Sequence, residues 1–147
     1  MPLDKDRYQK KLEKKISAFS SSFMSNSKWT RLFAVLSQHH DVIEECLMKS
    51  IFDDQLRKIP IPNFAFYANT FSDSGIKDVM VGGPSSFKTI EWIEFQRHVT
   101  TQRTARTESL EPFHSLQDIQ KISDILDTVG QFAKEITEDK LIVYGYK

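Results

Sequence analysis

The chain has one cysteine, no net charge and no apolar run near the length of a membrane span. The lone Cys46 excludes an intramolecular disulfide framework and a cysteine-based zinc cluster, and it fits a reducing compartment. Set among Val42, Ile43 and Leu47, it reads as a small packed hydrophobe rather than a nucleophile. Twenty Lys+Arg balance twenty Asp+Glu, so no global field draws the chain toward nucleic acid or an anionic membrane. No stretch approaches the ~20 apolar residues that cross a bilayer. The segment from Asp4 to Lys15 is charged where a signal peptide would be apolar, so the cytoplasm is the expected compartment. Also missing is any motif that fixes a reaction, a metal or a cofactor; none is expected.

Aromatic residues are plentiful: eleven Phe, four Tyr and two Trp among 147 residues are enough to fill the core of one domain without staples. The stretch Lys77 to Gln96 organises the rest. Gly82-Gly83-Pro84-Ser85-Ser86 reverses the chain, so Val79-Met80-Val81 is expected to pair with a strand over Thr89 to Phe95. Ile90, Trp92 and Glu94 share one face of that strand; Glu91, Ile93 and Phe95 share the other. Apolar residues on both faces place it near the centre of a sheet. Glu91 and Glu94 then need solvent or a partner. An acid/base or metal pair is the sharp reading and salt-bridged structural glutamates the preferred one.

Tyr8, Leu12, Ile16, Phe19 and Phe23 step by three or four, which predicts a basic amphipathic helix over residues 4–24. Residues 1–25 are set apart as an N-terminal helical extension, and 26–147 as the main domain. Trp29, Leu32, Phe33 and Leu36, behind capping residues Asn26-Ser27, predict a second helix over 27–38 that stops near His39-His40-Asp41. Those histidines diverge on a helix and have no third cluster, so they read as a helix end rather than a metal site. Residues 41–52 read as helix continuing into strand, and Asp53-Asp54 as a turn without calcium-loop spacing. Phe64-Ala65-Phe66-Tyr67-Ala68 reads as a strand. Leu116, Ile119, Ile122, Leu126, Val129, Phe132 and Ile136 predict a helix over 115–136, with Gly130 tolerated. Leu141 to Tyr146 predicts a terminal strand. The fold class is therefore α+β: a single domain with a mainly antiparallel sheet of about four or five strands, packed with amphipathic helices.

Between them, Gln96 to Ser109 shows no hydrophobic period and is expected to be a solvated excursion. It carries Arg97, His98, Arg103 and Arg106 with no acid before Glu108, and these four are the candidate partner-binding residues. No aromatic residue interleaves with the arginines, so stacking on single-stranded bases is poorly supported.

Three stretches give the chain a family likeness: Asn26-Ser27-Lys28-Trp29 with Leu32-Phe33, Gly82-Gly83-Pro84 followed by Lys88-Thr89-Ile90-Glu91-Trp92-Ile93-Glu94-Phe95, and Ile142-Val143-Tyr144-Gly145-Tyr146. Over residues 26–146 the sequence resembles a family of small uncharacterised bacterial proteins, a domain of unknown function. The resemblance implies one α+β domain and a bacterial source, and it carries over no catalytic residue. In general character such proteins are similar to immunity proteins of secreted toxins. The expected function is a protein-binding module that neutralises a cognate toxin by direct contact. The alternatives are a small enzyme using Glu91 and Glu94, or a nucleic-acid-associated protein using the arginines of 97–106.

Overall fold

A computed structural model describes residues 2–79, 83–104 and 109–147, with side chains except at 2–5, 78–79, 83, 101–104 and 109–113. In chain order the elements are α1 (Pro2–Ser17), α2 (Asn26–Gln38), β1 (Cys46–Ser50), β2 (Arg57–Ile59), α3 (Tyr67–Thr70), β3 (Gly75–Val79), β4 (Gly83–Ser86), β5 (Ile90–Gln96), β6 (His98–Thr104), β7 (Ser109–Leu116), α4 (Ile119–Asp127), β8 (Lys134–Ile136) and β9 (Lys140–Tyr144). Five strands form one sheet in the order β2-β1-β5-β9-β8, every neighbour antiparallel. β3 pairs with β4, and β6 with β7, as separate two-stranded ribbons. The fold is α+β.

β5 is the middle strand, as its two apolar faces predicted. Ile93 lies between Met48 and Val143, and Phe95 opposite Leu141, so one face of three strands is a continuous buried patch. Leu32, Phe33 and Leu36 of α2 and Ile119, Ile122 and Leu126 of α4 complete the same core. Each large apolar side chain so buried contributes ~1.5–3 kcal/mol. Phe33 binds the layers together by stacking on Trp29 at 5.6 Å, Phe71 at 4.7 Å and Phe87 at 5.6 Å. The other face carries Lys49, Trp92, Glu94 and Tyr144.

The predicted stripe of α1 rests on its own chain. Leu12 is buried with Ile51 and Tyr146, and Ile16, Phe19 and Phe52 pack around them. The helix ends at Ser17, short of the expected 24, because Ser20, Ser21 and Phe23 bond the carbonyls of Lys147 and Gly145 as extended backbone. α2 and β9 fall where expected, although Ser25, one residue before the expected cap, accepts the Lys28 amide.

Several elements differ from the sequence reading. β5 pairs with β1 and β9, and Val79 pairs with Gly83 rather than with β5; residues 80 and 81 lie outside the described residues. Instead Gly75 and Ile76 pair with Ser86 and Ser85, and a 3-10 turn at Phe87–Thr89, capped by Ser86, redirects the chain into β5. Residues 64–70 are helical rather than a strand. Asn63 caps the turn through the Ala65 amide, and Phe64, Tyr67 and Phe71 stack at helical spacing. No helix fills 41–45: a 3-10 turn covers His40–Val42, and the Glu44 and Glu45 amides then bond the Gln117 side chain. The helix expected over 115–136 is three elements. Leu116 ends β7, Asp118 caps α4 through the Lys121 amide, and Phe132 and Ile136 lie beyond it.

The expected solvated excursion is a paired strand. β6 continues β5 after the single residue Arg97, and β7 returns beside it for roughly 20 Å at strand rise. Pro112 stands where the register shifts, at a position where its missing N–H costs the ladder least. Among the described residues the two strands pack extensively only on each other. The base of this arm is fixed by Arg97 N to Asp139 O (2.8 Å) and Gln117 N to Arg97 O (2.7 Å).

Candidate functional site

Of the four candidate partner-binding residues, Arg97 precedes β6 and His98 and Arg103 lie on it. Arg97 and His98 are exposed at the base, and His98 pairs with Leu116, an apolar side chain left 69% exposed. Thr100 Oγ1 and His114 Nδ1 face each other across the ribbon at 3.2 Å. Arg103 is further out on β6, opposite Leu110, and Arg106 lies outside the described residues. The arm thus groups a guanidinium, two imidazoles and a bare leucine at its root.

Glu91 and Glu94 meet through intermediaries. Lys49 pairs with Trp92 and Ser50 with Ile90, which leaves Glu91 as the extra residue of a bulge. Its carboxylate lies 3.4 Å from Lys49 Nζ, and that ammonium sits 5.6 Å over the Trp92 ring. The Trp92 indole N–H donates to Glu94 Oε1 and Gln96 Nε2 donates to Oε2, each at 3.0 Å. Glu94 is only 2% exposed and has both oxygens engaged. Glu91 is thus ion-paired to Lys49, and Glu94 is held by two hydrogen bonds from neutral side chains of its own strand.

Other reactive groups are similarly committed. Burial, helped by the charges of Glu45 and Glu94, pushes the Cys46 thiol far above its usual range, so it stays a packed thiol. The bonds from the Gln55 amide and the Arg57 guanidinium hold Asp53 below the ordinary carboxylate range. His39 Nδ1 lies 3.0 Å from Val35 O at the end of α2. Among the described residues no three His, Cys, Asp or Glu side chains cluster to hold a metal.

Two features had no signal in the sequence. Gln117, 2% exposed, accepts from the Glu44 and Glu45 amides and donates to Gln96 O at 2.9 Å, so one side chain joins β1, β5 and the arm. The second is a cleft of about 480 Å³ where α1, α2 and the end of the chain meet. The three stretches that carried the resemblance converge there, contributing Asn26 and Trp29, Lys88, and Gly145 and Tyr146. Gly145 N donates to Glu91 O at 2.8 Å and the Tyr146 hydroxyl to Lys88 O at 2.9 Å, which ties the stretches together.

Residues 12–147 match the model of a family of unknown function (DUF6678), and the chain belongs to that family. The match takes in the last six residues of α1, 12–17, so that helix is in part family structure. No curated protein and no solved structure matches the chain.

Proposed function

We propose that the protein is a bacterial, cytoplasmic protein-binding module of the immunity type, which neutralises a cognate toxin by covering part of its surface. The observation that supports this reading is the β6–β7 arm. Among the described residues the ribbon pairs with no further strand, so each of its outer edges offers backbone groups, the feature used in recognition by strand addition. Arg97 and Leu116 at its root combine a guanidinium anchor with bare apolar surface, and such pairs concentrate binding energy at interfaces. The arginines steer an acidic partner, and the backbone edges fix its register.

The reading is tested by co-expression with the product of the neighbouring reading frame. A stoichiometric complex by size exclusion, protection of growth, and loss of both on Arg97→Glu with Arg103→Glu are expected. Recovery of neither complex nor protection removes the proposal.

A further inference from the structure

We propose that the cleft between α1 and α2 is a binding site for a small zwitterion with an apolar body, namely a free amino acid with an apolar side chain. The site lies apart from the arm and does not depend on the arm's role. Its volume of about 480 Å³ falls in the range of small-molecule sites. Its accessible apolar lining is the half-buried Ile16 and Met24, backed by the buried Leu12, Trp29 and Phe87, which hold the shape of the cleft.

The lining carries charge of both signs. Lys88 is exposed, and its ammonium has no hydrogen bond or ion pair among the described residues. The cleft also takes in the start of α2: Ser25 takes the Lys28 amide with its hydroxyl and the Trp29 amide with its carbonyl, so the Asn26 and Ser27 amides precede the first intrahelical bonds. Glu13 of α1 is a second exposed lining residue, and its carboxylate accepts from the Gln9 amide at 3.2 Å. A simple anion drawn to Lys88 meets the charge of Glu13, and a simple cation drawn to Glu13 meets Lys88. A molecule carrying both charges next to an apolar group satisfies the whole lining. The α-carboxylate goes to Lys88 and the start of α2, the α-ammonium to Glu13, and the side chain to Ile16 and Met24.

The experiment is titration of the full chain with L-phenylalanine and L-leucine, followed by amide and indole NMR shifts. N-acetyl-L-phenylalanine and L-phenylalaninamide serve as single-charge controls. Saturable shifts at the Trp29 indole N–H and the Gly145 amide are expected, weakened about tenfold in each control and about tenfold by Lys88→Gln or Glu13→Gln. Both substituted residues are exposed, so the variants keep their fold, and the unliganded Trp29 signal verifies this. The proposal is overturned if no shifts appear by about 10 mM ligand, the range of millimolar affinities. Equal binding of the acetylated or amidated compound, or indifference to both substitutions, also overturns it. Arg97→Glu leaves the titration unchanged, which separates this site from the arm.

Discussion

Trp29 and Gly145 lie in contact across the junction of α2 with the end of β9: a Cβ built on Gly145 would stand 3.2 Å from Trp29 Cζ2 and would collide with the Ile90 carbonyl oxygen. The strand end passes this close because the Gly145 and Tyr146 amides both donate to Glu91 O. Gly145→Ala therefore forces backbone and indole apart, with an expected loss of ~1–3 kcal/mol. A lower denaturant midpoint with an unchanged slope is the expected result; an unchanged midpoint refutes the contact.

Gln117 is a buried bracket with all of its bonds made inside the chain. Gln117→Leu keeps the volume but leaves two amides and one carbonyl without their partner, at ~1–3 kcal/mol for each group that water cannot reach. Hydrogen exchange at Glu44 and Glu45 should rise well before the core of β5 loosens. Equal protection in variant and parent would show that the bracket is idle.

Removing the Glu94 carboxylate acts on the opposite face of the sheet. Glu94→Ala strands the Trp92 indole N–H and the Gln96 amide, at ~1–3 kcal/mol, whereas Glu94→Gln keeps an acceptor for one of them and costs less. Chemical unfolding of both variants should rank them in that order.

Ser37 is a case of the reverse sign. It is fully buried on α2 and its hydroxyl has no partner among the described residues. Ser37→Ala removes an unsatisfied group and adds helix propensity, so stability should rise by about 0.5–1 kcal/mol. Thermal melting decides; a fall in the midpoint means that the hydroxyl is bonded.

Alkaline stability follows from Tyr146. Burial raises its hydroxyl above the ordinary value of 10.0, and burial raises Cys46, Tyr67 and Tyr144 in the same direction. In the folded state these protons are held more tightly than in the unfolded one. Their contribution is thus intact below pH 10.0 for the tyrosines and is lost as pH climbs through the folded values. Melting temperature should fall from about pH 9 upward, where the unfolded Cys46 thiol begins to ionise, and more steeply above pH 10.0, where the unfolded tyrosines follow. Tyr146→Phe should flatten part of that fall, while costing ~1 kcal/mol at neutral pH for the bond to Lys88 O.

The centre of the fold could be read from residues alone because β5 has apolar side chains on both faces, which few other arrangements accommodate. α2 was equally legible, since Trp29, Leu32, Phe33 and Leu36 repeat at helical spacing and are buried in the core. The arm was hidden by a coincidence of spacing: Leu116 precedes Ile119 and Ile122 by helical steps, yet it ends a strand and points to solvent. Phe64, Phe66 and Tyr67 looked like a strand because aromatic density outweighs period in so short a run. Arg97 and His98 stand out in the sequence by charge. The cleft does not, because its walls come from four separate stretches that long-range bonds such as Gly145 N to Glu91 O, Phe23 N to Gly145 O and the Tyr146 hydroxyl to Lys88 O bring together.

One backbone run passes from the middle of the five-stranded sheet into the arm through Arg97, which is bonded from both sides, and leaves it through Gln117 into α4. The arm is consequently a lever rather than a tether. Torque applied at its tip is delivered to β5, the one strand that no rim movement can bypass. Whatever seizes the arm takes hold of the keel of the molecule.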